Sequence, residues 1–219
     1  MLGWLLIKLL LVDDHDLVRT AIARMLADNN LHVIGQASSG EEAYQLVGEL
    51  KPSVVLMDVR MPGIGGLEAT RRIKQRYPEV KILALSAYED EPFPTRLLQA
   101  GASGYLTKGA CIDETIRAIR QVAAGKPYLS PSIAQQMALK SCDINQQSCP
   151  FEQLSEREMQ ISLLIASGKK IQAISDLLCV SPKTVNTHRY RIFEKLKIDN
   201  DVELALLAVR HNLVENSTL

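Results

Sequence analysis

The sequence has few residues that could build a disulfide framework or a thiolate metal site. It contains only four cysteines, and none stands in a Cys-x-x-Cys pair or clusters with the four histidines. Disulfide-stapled domains and zinc modules depend on such patterns, so both classes are disfavoured. Unpaired cysteines are typical of a reducing compartment, and a cytoplasmic location is therefore expected.

The chain also lacks an excess of charge of either sign. Its 25 basic residues balance its 25 acidic residues, for a formal net charge of +0. A general electrostatic attraction to nucleic acid or to a membrane surface is therefore not expected. Any basic surface on this protein must be local.

Long apolar runs are missing as well. Residues 1–12 are strongly apolar but fall short of the roughly 20 residues that a membrane-spanning helix needs. They have no basic start and no small-residue cleavage site, which argues against a signal peptide. We interpret residues 7–12 as the first core strand and residues 1–6 as a leader that precedes the domain.

The central feature is the stretch from residue 53 to residue 62, Ser-Val-Val-Leu-Met-Asp-Val-Arg-Met-Pro. A continuous apolar run of this length predicts a strand that is covered on both faces, as in the middle of a parallel sheet. The run ends at Asp58, so the strand delivers one carboxylate to the sheet edge where ligands bind in open α/β sheets.

Apolar strand patterns alternate with helical patterns from residue 7 to residue 124. This alternation predicts an α/β unit, a five-stranded parallel doubly wound sheet of the flavodoxin-like type. Strands are predicted at 7–12, 32–37, 53–58, 81–87 and 104–108, with helices at 16–26, 39–50, 67–77, 95–100 and 112–124. The polar residues at the carboxyl ends of these strands are Asp13, Asp14, Asp58, Ser86 and Lys108.

These five side chains suit phosphoryl transfer. Three neighbouring carboxylates repel one another unless a cation lies among them, and a hard divalent ion such as Mg²⁺ prefers oxygen ligands. Asp58 could then attack an activated phosphorus while Lys108 and Ser86 hold phosphoryl oxygens. Each residue alone has an ordinary interpretation as a helix cap, a hydrated loop or a surface lysine. Their joint occurrence at one sheet edge favours the phosphoryl-transfer hypothesis.

Four segments together resemble a two-component receiver domain. They are Leu-Leu-Val-Asp-Asp-His-Asp at 10–16, Met-Asp-Val-Arg-Met-Pro-Gly at 57–63, Leu-Ser-Ala at 85–87 and Gly-Tyr-Leu-Thr-Lys-Gly at 104–109. The resemblance implies that Asp58 is the phosphoacceptor and that Ser86 and Lys108 hold the phosphoryl group. It also implies a Mg²⁺ site formed by Asp13, Asp14, Asp58 and the backbone carbonyl of Arg60.

Tyr105 matches the aromatic switch residue of receiver domains, which moves inward when the hydroxyl residue is drawn to the phosphoryl group. The ordinary interpretation of Tyr105 is a core tyrosine on an edge strand, which is compatible with that role. One departure from the family pattern is Gly109, since many receivers have proline after the lysine.

The C-terminal part is predicted to be a separate all-helical unit. We place a receiver at residues 7–125, a linker with a short helix at 126–150 and a helical unit at 151–215. Ser155 and Glu158 fit a capping box, and Ser181 followed by Pro182 marks another helix start. Two helices joined by a tight turn at 179–180 are a helix-turn-helix candidate.

The helix predicted at 182–196 has two distinct faces. Val185, Ile192 and Leu196 point to the core, and the segment 181–197 holds five basic residues against one acid. A basic helix presented by a turn suits phosphate contacts and major-groove reading. The candidate DNA-contacting residues are Lys183, Thr184, Asn186, Thr187, Tyr190 and Arg191.

This unit resembles the LuxR-type helix-turn-helix, through Leu-Ser-Glu-Arg-Glu at 154–158 and Val-Ser-Pro-Lys-Thr-Val-Asn-Thr-His at 180–188. Joined to a receiver, it resembles the NarL/FixJ class of response regulators. The runs Ser-Pro-Lys-Thr-Val-Asn-Thr-His-Arg-Tyr-Arg at 181–191, Pro-Phe-Pro at 92–94 and Ile-Ala-Gln-Gln-Met-Ala-Leu at 133–139 are similar to the GacA/UvrY/LetA group. The resemblance implies phosphorylation by a sensor histidine kinase, dimerisation, and activation of small regulatory RNA genes. The last helix, near 202–211, either closes the bundle or serves dimerisation.

Two other functions compete with a DNA-binding regulator. An aspartate-nucleophile phosphohydrolase would need a second carboxylate two residues after Asp58, where the sequence has Arg60. Because of that residue we do not expect an enzyme. A receiver whose output is RNA or protein interaction is the second alternative.

Overall fold

The computed structural model describes residues 7–61, 63–86, 93–142, 149–211 and 213–214. The chain divides into two compact units, residues 1–144 and 145–219. The predicted leader, residues 1–6, lies outside the described residues, as do residues 143–148 of the predicted linker. Within the described ranges, no helix has both the length and the apolar character needed to cross a membrane.

The first unit alternates strands and helices, as the apolar pattern predicts. Its strands are β1 (Lys8–Val12), β2 (His32–Ala37), β3 (Val54–Asp58), β4 (Lys81–Ser86), β5 (Gly104–Thr107) and β6 (Tyr128–Leu129). Its helices are α1 (Asp16–Asp28), α2 (Gly40–Leu50), α3 (Gly65–Arg76), α4 (Phe93–Gln99), α5 (Ile112–Ala123) and α6 (Pro131–Cys142).

All strand pairs are parallel, and the sheet has the order β2-β1-β3-β4-β5-β6. The parallel doubly wound class is therefore confirmed, but the sheet has six strands where five were predicted. The additional strand, β6, has two residues and hydrogen-bonds to β5 at its ends. Tyr128 N donates to Ser103 O at 3.2 Å, and Ser130 N donates to Tyr105 O at 3.1 Å.

β6 changes the position of Tyr105 in the sheet. The ordinary interpretation of this tyrosine assumed an edge strand, but β5 lies between β4 and β6, so that assumption is wrong. Tyr105 is fully buried.

Helices cover both faces of the sheet. Alternate residues of β3 point to opposite sides: Val54 and Leu56 belong to one apolar cluster, and Val55 and Met57 to the other. The first cluster includes residues of α1 and α5, and the second includes residues of α2 and α3. Since β3 is buried along its whole length, Asp58 reaches the sheet edge from the centre of the core.

The second unit is helical. A 3₁₀ turn (Pro150–Gln153) precedes α7 (Glu156–Ala166), α8 (Ile171–Leu178), α9 (Pro182–Leu196) and α10 (Asp201–Arg210). Its core residues come from all of these elements and include Phe151, Met159, Ile161, Ile174, Val185, Ile192 and Leu204.

A Ser-x-x-Glu pattern starts both α2 and α7, but the reciprocal hydrogen bond differs between the two helices. At α7, Ser155 Oγ accepts from Glu158 N, and the Glu158 side chain accepts from Ser155 N, so that box is confirmed. At α2, Ser39 caps Glu42 N, but the Glu42 carboxylate accepts from Ser38 N at 2.7 Å. The reciprocal bond is displaced by one residue.

Candidate functional site

The carboxyl ends of three strands bring a lysine between two buried carboxylates. β1 continues into Asp13, β3 ends at Asp58, and β5 is followed by Lys108. Lys108 Nζ lies 2.7 Å from Asp13 Oδ2 and 2.7 Å from Asp58 Oδ2. Asp13 is 0% exposed and Asp58 is 3% exposed, so both carboxylates are held in a largely dry pocket.

Backbone groups fix the other carboxylate oxygens. His15 N donates to Asp13 Oδ1 at 2.8 Å, and Arg60 N donates to Asp58 Oδ1 at 3.2 Å. The start of α3 approaches β3 so closely that a Cβ on Gly66 would lie 2.0 Å from Asp58 O. Glycine at this position therefore lets the helix pack directly against the end of the Asp58 strand.

Asp14 supplies an oxygen that the protein leaves unsatisfied. Asp14 Oδ1 is enclosed and accepts no hydrogen bond within the described part of the chain. His15 Nδ1 lies 2.9 Å from it, which is an ion-pair distance without the alignment of a hydrogen bond. Buried polar atoms are ordinarily satisfied, so this oxygen marks a place for a cation or an ordered water.

The pocket holds more negative than positive charge. Burial raises the pKa of the Asp58 carboxyl above its usual range, and the Asp13 carboxylate adds to this effect, although Lys108 opposes it. Burial alone would lower the pKa of Lys108, but its bonds to Asp13 and Asp58 outweigh burial and raise it. The single ammonium therefore stays charged and cannot balance three carboxylates.

A metal ion would complete this balance. Ligand atoms of Asp13, Asp14, His15 and Asp58 all lie within 4.8 Å of one another, so the group could hold an ion. The donors are mainly carboxylate oxygens, which suit a hard divalent cation. His15 was not among the predicted ligands, although it directly follows the Asp13-Asp14 pair that the sequence singled out.

Ser86 and Tyr105 lie close to this pocket along the sheet. Asp58 is aligned with Leu85, one residue before Ser86, and Ser86 is 1% exposed. Lys108 N donates to Ser86 O at 2.7 Å, which ties the end of β4 to the lysine. Tyr105 is aligned with Ala84 of β4, two residues before Ser86.

In the second unit, α8 and α9 are joined by a short, well-bonded turn. Cys179 adopts the left-handed conformation with φ 51°, and Ser175 Oγ donates to Val180 O at 2.6 Å. Ser181 then caps α9 by accepting from Thr184 N at 3.1 Å, and Pro182 occupies the first helical position. These features are those of a helix-turn-helix.

The two faces of α9 are as predicted. Val185, Ile192 and Leu196 are buried against the rest of the unit. Of the candidate DNA-contacting residues, Asn186 is partly buried, and the exposed ones are Lys183, Thr184, Thr187, Tyr190 and Arg191. Two threonine hydroxyls also bond locally: Thr184 Oγ1 lies 2.8 Å from Ser181 Oγ, and Thr187 Oγ1 donates to Lys183 O at 2.9 Å.

The basic residues of α9 do not all face solvent freely. Arg189 forms a bidentate ion pair with Asp201, in which Nε donates to Oδ1 at 2.7 Å and a terminal guanidinium nitrogen donates to Oδ2 at 2.9 Å. Lys195 Nζ lies 2.6 Å from Glu158 Oε2. The count of basic residues in the segment 181–197 included both of these residues. The structure separates them, since their acidic partners lie on other helices.

A receiver-like α/β unit with an acidic pocket, followed by a helix-turn-helix unit, defines a response regulator with a DNA-binding output. Comparison with known proteins agrees with this class. Residues 9–120 match the response regulator receiver domain, and residues 152–208 match the luxR family of bacterial regulatory proteins.

Full-length relatives narrow the class further. The chain is 63% identical to the response regulator GacA of Pseudomonas aeruginosa over 96% of this chain and 99% of that protein. It is 50% identical to the response regulator UvrY of Escherichia coli, over 98% and 99%. The structure of Salmonella typhimurium RcsB has the same fold, with a TM-score of 0.72 at 20% identity, over 95% of this chain and 98% of that chain.

The chain belongs to the response-regulator family, in the NarL/FixJ class and the group of GacA and UvrY. It is a DNA-binding transcriptional regulator of a two-component system.

Proposed function

We propose that Asp58 receives a phosphoryl group from a histidine of a partner sensor histidine kinase. A carboxylate oxygen of Asp58 forms a bond to phosphorus while the P–N bond to the kinase imidazole breaks, and the imidazole leaves with the bonding pair. The observation that carries this proposal is the position of Lys108 Nζ, 2.7 Å from both buried carboxylates. Such an ammonium can pair with phosphoryl oxygens as negative charge arrives.

The same pocket is proposed to bind Mg²⁺ through Asp13, Asp14, Asp58 and the backbone carbonyl of Arg60. The unsatisfied Asp14 oxygen and the surplus of carboxylates support this ligand set. A bound Mg²⁺ supplies positive charge that neutralises phosphoryl oxygens. Asp13 and Asp14 then act by holding the ion, and they do not react themselves.

Ser86 and Lys108 are proposed to hold the phosphoryl oxygens after transfer. Tyr105 is proposed to be the switch residue, which moves inward when Ser86 is drawn to the phosphoryl group. Ser86 lies at the end of β4 beside Asp58, and its carbonyl already accepts from Lys108 N. Tyr105 is buried and is aligned with Ala84, which precedes Ser86 by two residues on β4. A hydroxyl drawn toward Asp58 would therefore alter packing around a buried aromatic ring.

For the output, α9 is proposed to lie in the DNA major groove. Asn186 and Tyr190 read base edges, while Lys183, Thr184, Thr187 and Arg191 contact the DNA backbone. The exposure of this face and the firm N-terminal cap of α9 support the assignment. A helix N-terminus favours phosphate, and an Asn side chain can pair with an adenine edge.

Phosphorylation is proposed to favour a homodimer in the cytoplasm that reads two half-sites. The resemblance to the GacA and UvrY group supports small regulatory RNA genes as targets. Arg60 stands where an aspartate hydrolase would need its second carboxylate, so a regulator is favoured over an enzyme.

Labelling by a small phosphodonor tests the receiver assignment. With acetyl phosphate and Mg²⁺, the wild-type chain should incorporate one phosphoryl group, and Asp58→Ala should incorporate none. Asp28→Ala, which removes an exposed acid at the end of α1, is the control and should label normally. Undiminished labelling of Asp58→Ala would refute the site.

The output is tested on a duplex selected by the wild-type chain from a randomised pool. Asn186→Ala with Tyr190→Ala should reduce discrimination between the selected duplex and the unselected pool. Lys183→Ala should weaken binding to the selected duplex and to the unselected pool by a similar factor. Equal losses on both duplexes for all variants would exclude base reading by this face, and binding to RNA alone would favour the other output.

A further inference from the structure

The C-terminal end of α9 is held by a buried carboxylate of α7. Glu158 is 3% exposed, and its Oε2 accepts from Lys195 Nζ at 2.6 Å and from Ser155 N at 2.7 Å. Burial would raise the pKa of Glu158, but the bonds from Lys195 and Ser155 outweigh it and lower the pKa. The carboxylate is therefore charged, and Lys195 is its cationic partner.

The backbone carbonyl of Lys195 is also hydrogen-bonded to a neighbouring segment. Gln153, in the 3₁₀ turn before α7, donates from Nε2 to Lys195 O at 2.5 Å. Lys195 is thus fixed through its side chain and its carbonyl by two neighbouring segments. Both contacts resist rotation of α9 about its axis and sliding along it.

A second pair holds the middle of α9 to the start of α10. The Arg189 guanidinium bonds both carboxylate oxygens of Asp201, and it lies 4.7 Å from the centre of the Phe193 ring. Two parallel bonds from a planar guanidinium define orientation more strictly than a single contact does. Asp201 is the first residue of α10, so the pair also places an acid at a helix N-terminus, where it is favourable.

The basic residues of this segment fall into two groups by their positions around α9: those in ion pairs and those exposed without one in the described part of the chain. At about 100° per residue, Arg191 lies roughly 80° from Lys183, on the face that also carries Tyr190. Arg189 and Lys195 lie about 120° from Lys183 on opposite sides and flank the buried stripe. Within the described residues Lys183, Arg191 and Lys197 form no ion pair, and all three are exposed.

We propose that Lys195–Glu158 and Arg189–Asp201 are positioning pairs that fix the angle of α9, and that Lys183, Arg191 and Lys197 alone supply the phosphate-neutralising charge of this segment. The proposal rests on the proposed role of α9 in DNA reading. Lys195 and Arg189 then act through their acidic partners, and they do not contact DNA.

The acidic partners provide the decisive test, because charge and positioning predict opposite results. Glu158→Gln and Asp201→Asn each remove a negative charge, which by simple electrostatics should tighten binding to DNA. If the pairs position α9, both variants should instead bind the selected duplex about tenfold more weakly, with little change on the unselected pool. Glu194→Gln is the matched control: it removes an exposed acid of α9 that forms no ion pair within the described residues, and binding should not weaken.

Salt dependence separates the two groups of cations. Lys183→Gln, Arg191→Gln and Lys197→Gln should each reduce the slope of log affinity against log salt by about 0.9. Lys195→Gln and Arg189→Gln should leave the slope unchanged while lowering affinity for the selected duplex. The double variant of Arg189→Gln with Asp201→Asn should bind no more weakly than either single variant.

All variants are measured as full chains, with circular dichroism defining the folded fraction at the temperature of the titration. Asp201→Asn disturbs a pair that is partly exposed, so it tests the proposal even if Glu158→Gln unfolds the unit. Tighter binding by Asp201→Asn, or a slope reduced by about 0.9 in Lys195→Gln, would overturn the proposal. Unchanged slopes for Lys183→Gln, Arg191→Gln and Lys197→Gln would instead refute the role of α9 in DNA reading.

Discussion

At the scale of single residues, Asp14 is held in an arrangement that favours ligand binding over stability. Its enclosed Oδ1 accepts no hydrogen bond within the described chain, and it shares a pocket with two further carboxylates. Functional sites commonly keep such unfavourable groups, and relieving them stabilises the protein at the expense of activity.

We expect Asp14→Asn to stabilise the metal-free protein by about 1 kcal/mol, since it removes one repelling charge. Mg²⁺ at ten times its Kd should stabilise the wild-type chain by about 1.4 kcal/mol and the variant much less. Urea denaturation with and without Mg²⁺ measures both effects. Asp28→Asn, which changes an exposed acid at the end of α1, is the control. An equal Mg²⁺ effect in Asp14→Asn would contradict the proposed ligand.

Glu158 predicts a pH dependence for the second unit. Burial opposes its ionisation, but Lys195 and Ser155 hold its folded-state pKa below the ordinary value of 4.5. A depressed folded pKa means that Glu158 contributes its stability above the unfolded pKa and loses it as pH falls through the folded pKa.

Glu158→Gln should therefore cost about 2 kcal/mol at pH 7, where a charged hydrogen-bonded group is lost. The difference from wild type should shrink as pH falls below 4.5, the ordinary value of this carboxyl. Hydrogen exchange of amides in α7 and α9, followed by mass spectrometry at several pH values, reports this unit specifically. A difference that stays constant down to acid pH would contradict the assignment of the charged pair.

At the scale of elements, the turn between α8 and α9 uses a residue poorly suited to its backbone. Cys179 closes α8 in the left-handed conformation with φ 51°, which costs any residue with a Cβ more than glycine. The turn is nevertheless specified, because Ser175 and Ser181 bond its two ends.

Cys179→Gly should stabilise the protein by about 0.5–1 kcal/mol, because glycine adopts this conformation without steric cost. Chemical denaturation measures the change. Cys179→Ala is the matched control, since it removes the thiol but keeps the Cβ and should give no gain. An equal gain in both variants would attribute the effect to loss of the thiol and not to the backbone.

Elements with strong local signals could be predicted from sequence, and weak ones could not. The apolar run of β3 and the Ser181-Pro182 start of α9 are local signals, and both predictions are confirmed. β6 has two residues, too few for periodicity, and it forms because Tyr128 and Ser130 find acceptors beside β5. In α1, Leu17 fits the apolar pattern but is 86% exposed, since periodicity does not report which positions a neighbour covers.

Some features of the candidate site could likewise be predicted from the sequence, and others could not. Residue identities at the strand ends could be predicted, because parallel strands present their carboxyl ends at one edge. The bridging position of Lys108 between Asp13 and Asp58 depends on side-chain geometry across three strands. Likewise, the charge count of α9 could not reveal that Lys195 and Arg189 have acidic partners on α7 and α10.

At the scale of the whole molecule, charge is balanced within each unit. Residues 145–219 contain nine basic and nine acidic residues, so the second unit is formally neutral like the whole chain. Binding to random DNA should consequently be weak, and affinity should depend on the few exposed cations of α9. A second copy on the same duplex would double that number.

The salt dependence of DNA binding should therefore report whether phosphorylation recruits a second copy. Lys183, Arg191 and Lys197 of one copy give a slope of about −2.7, and the six cations of two copies give about −5.4. We expect the full chain treated with acetyl phosphate to show the steeper slope on the selected duplex and Asp58→Ala to keep the shallower one. Titrations between about 50 and 200 mM salt measure it. Mg²⁺ is held constant throughout because it also screens phosphates. Tighter binding with an unchanged slope would mean that phosphorylation acts on a single bound copy, which would contradict the proposed dimer.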